Sequence, residues 1–159
     1  MALENRLAEE PSERTLVITR IFDAPRSLVF NAWTEPAHRM RWWGLKGFTV
    51  TSCEMDLRPG GAWRLSMRSP EGREDRQVGN FREIVPPERL VFTYAFEGAA
   101  GNLGHETLVT VTFAEHEGKT KLTVNQAVFE TLAVRNDHVR GWGEALDRLA
   151  EYAATASKN

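Results

Sequence analysis

The sequence has 159 residues, of which 42% are apolar and 26% are charged, as in a globular protein that buries a core. Its 20 basic and 22 acidic side chains give a net charge of −2, so no basic surface for a nucleic acid or an anionic membrane is expected. Cys53 is the only cysteine, which excludes an internal disulfide. The first residues are too polar for a signal peptide and no run is long enough for a membrane span, so a cytoplasmic location is expected.

The N-terminal third is predicted to contain a strand and two short helices. Residues 1–14 are polar and aperiodic, and they are expected to form a flexible tail before a single domain at 15–156. From Thr15 polar and β-branched residues alternate, which predicts a strand. Pro25 and Pro36 then each stand where a short helix can begin, and Gly44 ends the second helix.

After Gly47 the apolar period becomes two for about eighty residues, which predicts six further strands. Polar, proline or glycine-rich segments separate these strands at residues 58–61, 69–75, 86–87, 97–106 and 117–119. Strands joined by such short connections pair antiparallel with their neighbours. The inward face of the strand around Asn80 and Phe81 stays undecided.

A long helix is predicted from about Thr131 onward. Apolar side chains recur at helical spacing from Val139 through Trp142, Leu146 and Leu149, and this stripe is the large apolar surface available to cover the sheet. The predicted fold is therefore α+β, with a curved antiparallel sheet of about seven strands around a long C-terminal helix.

Several short motifs resemble one family. They are the segments RIFDAP (20–25), VFNAWT (29–34), RWWG (41–44), DLRPGGAW (56–63) and PPERLVF (86–92), with Gly79 and the helix core 141–149. Together they are similar to the activator of Hsp90 ATPase homologue 1-like (AHSA1-like) branch of the START/Bet v 1-like (SRPBCC) superfamily, over residues 15–154. Leu45 departs from the pattern, since relatives often carry proline there. The resemblance implies a helix-grip fold with a hydrophobic cavity between sheet and helix.

Such a cavity would be lined by the inward faces of the strands and of the helix. The candidate ligand-binding residues are Trp63, Leu65, Met67, Phe92, Tyr94, Phe96, Val111, Phe113, Gln126, Val139, Trp142 and Leu146. In the alternative interpretation the same side chains simply fill the core. Tyr94 and Gln126 are the polar members, and they either orient a ligand or bond to each other or to the backbone.

Two further pairs leave alternatives open. Gly141 and Gly143 cost a helix about 1 kcal/mol each relative to alanine, so either a ligand or a closely packed strand is expected beside them, the strand being the commoner case. Trp42 and Trp43 stand either at a pocket rim or, as expected more often, against the edge of the sheet.

No catalytic residue, metal site or cofactor is expected. His38, His105, His116 and His138 are isolated in sequence, and Cys53 lacks a partner. Glu54 and Asp56 share a strand face opposite an apolar one, which places them in water. The glycine-rich loop at 98–104 leads into a strand rather than a helix, which excludes a phosphate-binding motif.

The sequence thus favours a module that binds a small apolar molecule as its partner. An alternative, implied by the superfamily, is a polyketide cyclase/dehydratase-like enzyme that uses His105 or Tyr94 for proton transfer. A second alternative, by family analogy alone, is an Hsp90-type co-chaperone, for which no sustained apolar surface patch is predicted. A homodimer is compatible with each of these functions.

Overall fold

The computed structural model describes residues 11–98 and 100–157. The elements are α1 (Pro11–Arg14), β1 (Thr15–Phe22), α2 (Arg26–Thr34), α3 (Pro36–Arg39), β2 (Thr49–Met55), β3 (Ala62–Arg68), β4 (Glu74–Val85), β5 (Arg89–Glu97), β6 (Thr107–His116), β7 (Lys119–Ala127) and α4 (Leu132–Ser157). Most of the predicted N-terminal tail lies outside the described residues, and its last four residues form the single turn α1. Among the described residues, no helix has the length and apolar character that a membrane crossing requires.

The seven strands form one antiparallel sheet, as predicted. Their order is β1-β7-β6-β5-β4-β3-β2, so each strand from β2 to β7 pairs with its neighbour in the chain and β1 joins the far edge beside β7. The register shifts between Val50 and Ser52 in β2 and between Phe81 and Glu83 in β4. Such irregularities increase bend and twist, which lets the sheet curve around the helix.

Helix α4 lies in the concave side of this sheet, which confirms the helix-grip arrangement. The Val134 N–H donates to the Thr131 hydroxyl at 3.1 Å, which caps the start of the helix. Trp142, Leu146 and Leu149 of the predicted stripe are buried. Val139, at the start of the stripe, is only partly buried.

All five tryptophans are buried and their rings form one connected group. Trp33 of α2 stacks on Trp142 of α4 with ring centroids 5.7 Å apart, and Trp43 meets Trp142 edge to face at 5.3 Å. Helix α3 ends at Arg39, earlier than predicted, and turns continue the chain to Trp43. Aromatic rings from α2 and the 42–43 segment therefore fill much of the space between sheet and helix.

Two glycines are required by the sheet. In the turn at 58–61, Gly60 has φ of 85° and the Gly61 N–H donates to the Arg58 carbonyl at 2.8 Å, as the Pro-Gly sequence predicts. At Gly79 in β4, a Cβ would lie 1.8 Å from the Thr93 carbonyl oxygen. Only glycine permits that approach.

The period-two pattern fails at one strand end. Val128 continues the inward series of β7 in sequence, but the strand ends at Ala127, Val128 is 51% exposed and Phe129 is buried instead.

The inward face of β4, which the sequence left undecided, is the one that carries Phe81. Phe81 is buried and Asn80 is exposed.

Candidate functional site

A pocket of about 440 Å³ opens at one end of the space between sheet and helix. Its walls come from β3, β4 and β5, from the loop after α3, and from one face of α4. The lining residues are Trp43, Gly44, Leu45, Phe48, Met67, Arg73, Asp75, Gln77, Tyr94, Phe96, Val134, Asp137, His138, Arg140, Gly141, Trp142 and Ala145.

Four of the predicted ligand-binding residues line this pocket, namely Met67, Tyr94, Phe96 and Trp142. Phe96 is 43% exposed at the mouth, so the inward face of β5 does not stay covered to the end of the strand. The other eight do not line it: Trp63, Leu65, Phe92, Val111, Phe113, Gln126, Val139 and Leu146. All of these except the partly buried Val139 are buried in the core, which also contains the other tryptophans.

Gln126 is bonded inside the core rather than directed into the pocket. Its Oε1 accepts from Trp142 Nε1 at 2.8 Å, and its Nε2 donates to the Thr107 hydroxyl at 2.8 Å. Both ends of the amide therefore have partners, as a buried polar group requires. The residue holds the Trp142 ring in place from behind the pocket wall.

Two hydrogen-bond donors of the pocket wall are unused. Gln77 Oε1 accepts from Trp43 Nε1 at 2.8 Å, which leaves the Gln77 NH₂ group free to donate. Within residues 11–98 and 100–157, neither this NH₂ group nor the Tyr94 hydroxyl makes a hydrogen bond. Burial, with a smaller contribution from Asp75, raises the pKa of Tyr94, so its hydroxyl keeps its proton.

His138 also lines the pocket, although the sequence did not mark it as a candidate ligand-binding residue. Its Nδ1 lies 2.9 Å from the Val134 carbonyl and must carry the proton of that bond. Its Nε2 is buried and has no partner in the described part of the chain. Burial lowers the pKa of His138, against opposing effects of the Val134 bond and of Asp137, which favours a neutral ring with a bare Nε2 lone pair.

A sequence signal for His138 does exist. Val134, His138, Gly141 and Ala145 recur at helical spacing beside the predicted apolar stripe, and all four line the pocket. The helix thus has a second inward-facing row, which a search limited to large apolar residues passes over.

Arg39 is the least expected residue near the site. Its side chain is fully buried, and its Cζ lies 4.4 Å from the ring centroid of Trp43 and 5.3 Å from that of Phe92. The rings of Trp33 and Trp63 complete the enclosure at 5.8 and 5.6 Å. None of its three guanidinium nitrogens has a hydrogen-bond partner among the described residues. Burial lowers its pKa to about 10, with Cys53 opposing, so the group is still charged at neutral pH.

The charged residues at the pocket mouth form two ion pairs. Arg73 Nε lies 3.1 Å from Asp75 Oδ1, and Arg140 Nη2 lies 3.0 Å from Asp137 Oδ1. Each pair joins one positive and one negative group, so the net charge of the four side chains is zero, although the Asp75 charge still acts on the nearby Tyr94 hydroxyl.

The glycines of α4 differ in their surroundings. A Cβ at Gly141 would lie 3.7 Å from Leu45 Cδ2, and one at Gly143 would lie 3.8 Å from Arg20 Nη2, both ordinary contacts. No closely packed strand therefore requires either glycine. Gly141 lines the pocket and Gly143 does not.

The remaining candidates lie away from the pocket. His105 is exposed, and its Nε2 lies 2.6 Å from the Val128 carbonyl. Glu54 and Asp56 are exposed, and burial raises the pKa of the Cys53 thiol, which disfavours the reactive thiolate. In the described ranges, no three His, Cys, Asp or Glu side chains are grouped so that they could hold a metal ion.

The curved seven-stranded sheet, the long C-terminal helix and the pocket at one end of their interface define a helix-grip protein of the START/Bet v 1-like class. The family profile of the activator of Hsp90 ATPase homolog 1-like proteins (AHSA1) matches residues 23–154. The chain belongs to this family.

Solved structures with the same fold come from several bacteria. A protein from Chromobacterium violaceum is 26% identical, with a TM-score of 0.78 over 88% of this chain and 96% of that one. The AHSA1 protein from Silicibacter pomeroyi is 24% identical, with a TM-score of 0.80 over 89% and 99% of the two chains. A protein from Arthrobacter aurescens is 22% identical, with a TM-score of 0.83 over 94% and 91%. No curated protein matches this sequence.

Proposed function

We propose that this protein binds a small hydrophobic or aromatic molecule in the pocket between the sheet and α4. The observation that carries the proposal is the pocket itself, about 440 Å³ in volume and walled largely by aromatic and aliphatic side chains. Pockets of this size, apolar with a few polar groups, are typical small-molecule sites. The rings of Trp43, Tyr94 and Trp142 offer flat surfaces on which an aromatic ligand can stack.

The glycine pair of α4 provides a matched test. We expect the neutral fluorophore N-phenyl-1-naphthylamine to bind the wild-type protein with a Kd in the micromolar range, measured by its fluorescence increase. Gly141→Leu places a side chain in the pocket and should weaken binding at least tenfold. Gly143→Leu gains the same helix propensity on a face outside the pocket, and should bind as the wild type does.

Two results would contradict the proposal. One is the absence of saturable binding to the wild-type protein. The other is equal binding by the Gly141→Leu variant, with near-ultraviolet circular dichroism showing that all three proteins are folded. Native mass spectrometry of freshly purified protein complements the titration, because a co-purifying molecule would identify the natural ligand class directly.

A second candidate function is proton transfer on a bound carbonyl compound, as in a polyketide cyclase/dehydratase-like enzyme. It is favoured by the convergence of two titratable side chains, since the rings of Tyr94 and His138 lie 5.5 Å apart on the pocket wall. The Tyr94 hydroxyl could donate to a carbonyl oxygen while His138 Nε2 accepts a proton from the adjacent carbon. It is the weaker candidate because the His138 ring is covered by Tyr94, Phe96 and Phe129, which shield Nε2.

Deuterium exchange tests this second candidate. The methyl protons of 2-acetonaphthone should exchange faster in the presence of the wild-type protein than with His138→Gln or Tyr94→Phe, as followed by proton NMR. A ketone that binds but exchanges at the buffer rate would rule out the enzyme and leave the binding function intact.

A further inference from the structure

We propose that the pocket selects apolar carboxylates over neutral molecules of the same shape, because the buried Arg39 places an unpaired positive charge directly behind the Trp43 wall. This inference rests on the proposed binding function and specifies its ligand class. The carboxylate would sit against Gln77 and Tyr94, and its apolar body would lie among the aromatic rings.

The first argument is the balance of charge around the pocket. The four charged side chains that line it pair with one another as Arg73–Asp75 and Arg140–Asp137. Arg39 has no carboxylate within salt-bridge distance in the described part of the chain. Its guanidinium stacks on the Trp43 ring, which itself lines the pocket. One aromatic ring therefore separates an uncompensated cation from the ligand space.

A second cation contacts the loop that carries Trp43. Arg148 of α4 donates through Nη1 to the Trp43 carbonyl at 3.0 Å, and it forms no ion pair among the described residues. Burial of this side chain lowers its pKa, with Glu151 opposing, and the group remains a cation at neutral pH. Two positive charges therefore contact Trp43, Arg39 at its ring and Arg148 at its carbonyl.

The third argument is the chemistry of the wall beside Trp43. The Gln77 NH₂ group and the Tyr94 hydroxyl are both donors without a partner in the described residues. Two donors in front of a cation fit the two acceptor oxygens of a carboxylate. A neutral amide of the same size has only one acceptor oxygen, and its NH₂ group would face one of the two donors of the wall.

The expected electrostatic effect of Arg39 on carboxylate affinity is large enough to measure. Opposite unit charges separated by roughly 8 Å, at an effective dielectric of about 20, correspond to about a 30-fold change in affinity. Desolvation of the ligand carboxylate offsets part of this, so we expect a preference of about tenfold. A buried charge is poorly screened by salt, unlike the exposed arginines at the mouth.

The test compares isosteric acid and amide ligands by isothermal titration calorimetry at pH 7.5. We expect 2-naphthoate to bind the wild-type protein about tenfold more tightly than 2-naphthamide, with the ratio preserved at 0.5 M NaCl. Decanoate and decanamide form a second arm, which distinguishes an aromatic from an aliphatic acid as the preferred body. Arg39→Met should bind naphthamide as the wild type does and lose the preference for naphthoate, and Tyr94→Phe should lose part of it.

The outcomes separate the two proposals. If neither naphthoate nor naphthamide binds, the proposed binding function fails. If both bind with equal affinity, or if Arg39→Met retains the preference, the pocket stands and the carboxylate inference is overturned. If Arg39→Met does not fold, the wild-type ratio and its salt dependence decide, and a ratio of one or a ratio abolished by salt would overturn the inference.

Discussion

Arg39 is buried among aromatic rings, although its residue type predicts an exposed side chain. In sequence it stands between His38 and Met40, and an arginine is rarely fully buried without a partner. In the structure it is enclosed by Trp33, Trp43, Trp63 and Phe92. Arginine tolerates this because its charge is delocalised over a flat group that stacks on rings and is weakly hydrated. A lysine there would keep a compact, strongly hydrated charge.

The burial of His138 predicts how the free energy of unfolding depends on pH. Its pKa in the folded protein is lowered below the value of about 6.5 expected in the unfolded chain. Between these two values the unfolded state binds more protons, so the free energy of unfolding falls as the pH falls below about 6.5. The contribution of this one group cannot exceed about 1.4 kcal/mol per pH unit.

The comparison is between the wild-type protein and His138→Phe, which keeps a ring against Tyr94, Phe96 and Phe129. Urea unfolding at pH 7.5 and pH 5.5 should show a larger loss of stability for the wild type. The other histidines and carboxyl groups are common to both proteins and cancel in the difference. Equal losses would contradict the burial of a neutral imidazole.

At the scale of elements, Gly79 of β4 is the point where side-chain and backbone atoms of β3 and β5 approach each other. Trp63 of β3 reaches across this glycine, and its Nε1 donates to the Thr93 carbonyl of β5 at 3.0 Å. A Cβ at position 79 would lie 2.4 Å from Trp63 Nε1 and 1.8 Å from the Thr93 oxygen. Because Gly79 has no side chain, the Trp63 indole of β3 can reach across β4 and donate to the backbone of β5.

Gly79→Ala should destabilise the protein by about 3 kcal/mol or more, because the strands must separate and the Trp63 bond must break. Gly98→Ala is the matched control, since its Cβ would lie 3.5 Å from the nearest atom, the Asn102 carbonyl oxygen. Its effect should stay within about 1 kcal/mol. Denaturant unfolding measures both, and a Gly79→Ala protein of wild-type stability would disprove the proposed role.

The helix and the sheet are joined by polar as well as apolar contacts. Trp142 of α4 donates to Gln126 of β7, which donates to Thr107 of β6, whose hydroxyl in turn donates to the Tyr94 carbonyl of β5 at 3.3 Å. Parity along β7 predicts that Gln126 points inward, and it does. The strand pattern does not predict the hydrogen-bond partners of Gln126, because these depend on the position of α4 along the sheet.

For the whole molecule, the burial of the α4 stripe in the curved sheet is the main prediction. Leu146 is completely buried, so Leu146→Ala should lower the free energy of unfolding by about 3 kcal/mol through lost burial and a residual cavity. Leu103→Ala removes the same atoms from a side chain that is 62% exposed, and should change it by no more than about 0.5 kcal/mol. Similar effects of both substitutions, measured by urea unfolding, would contradict the packing described for α4.

The order of elements, the antiparallel sheet and the inward faces of most strands could be predicted from local sequence patterns. Residue period and turn chemistry are local properties, and Pro-Gly at 59–60 or the stripe from Trp142 to Leu149 carries them independently of distant residues. Alternation along the strands and the helical stripe together assigned twelve residues to one cavity, yet only Met67, Tyr94, Phe96 and Trp142 line the pocket. Such residue periods distinguish buried from exposed faces, but they do not distinguish a filled interior from an open pocket.

Tertiary packing determines which part of the interior is open and which polar groups border it. Trp33, Trp42 and Trp43 come from segments distant in sequence from the strands that they cover, and their volume fills one end of the space under α4. The burial of Arg39, the second inward row of α4 with His138, and the free donors of Gln77 and Tyr94 all follow from that packing. The row of α4 that contains His138 has a local signal in its helical spacing, whereas the burial of Arg39 and the free donors depend on how segments far apart in the chain pack together.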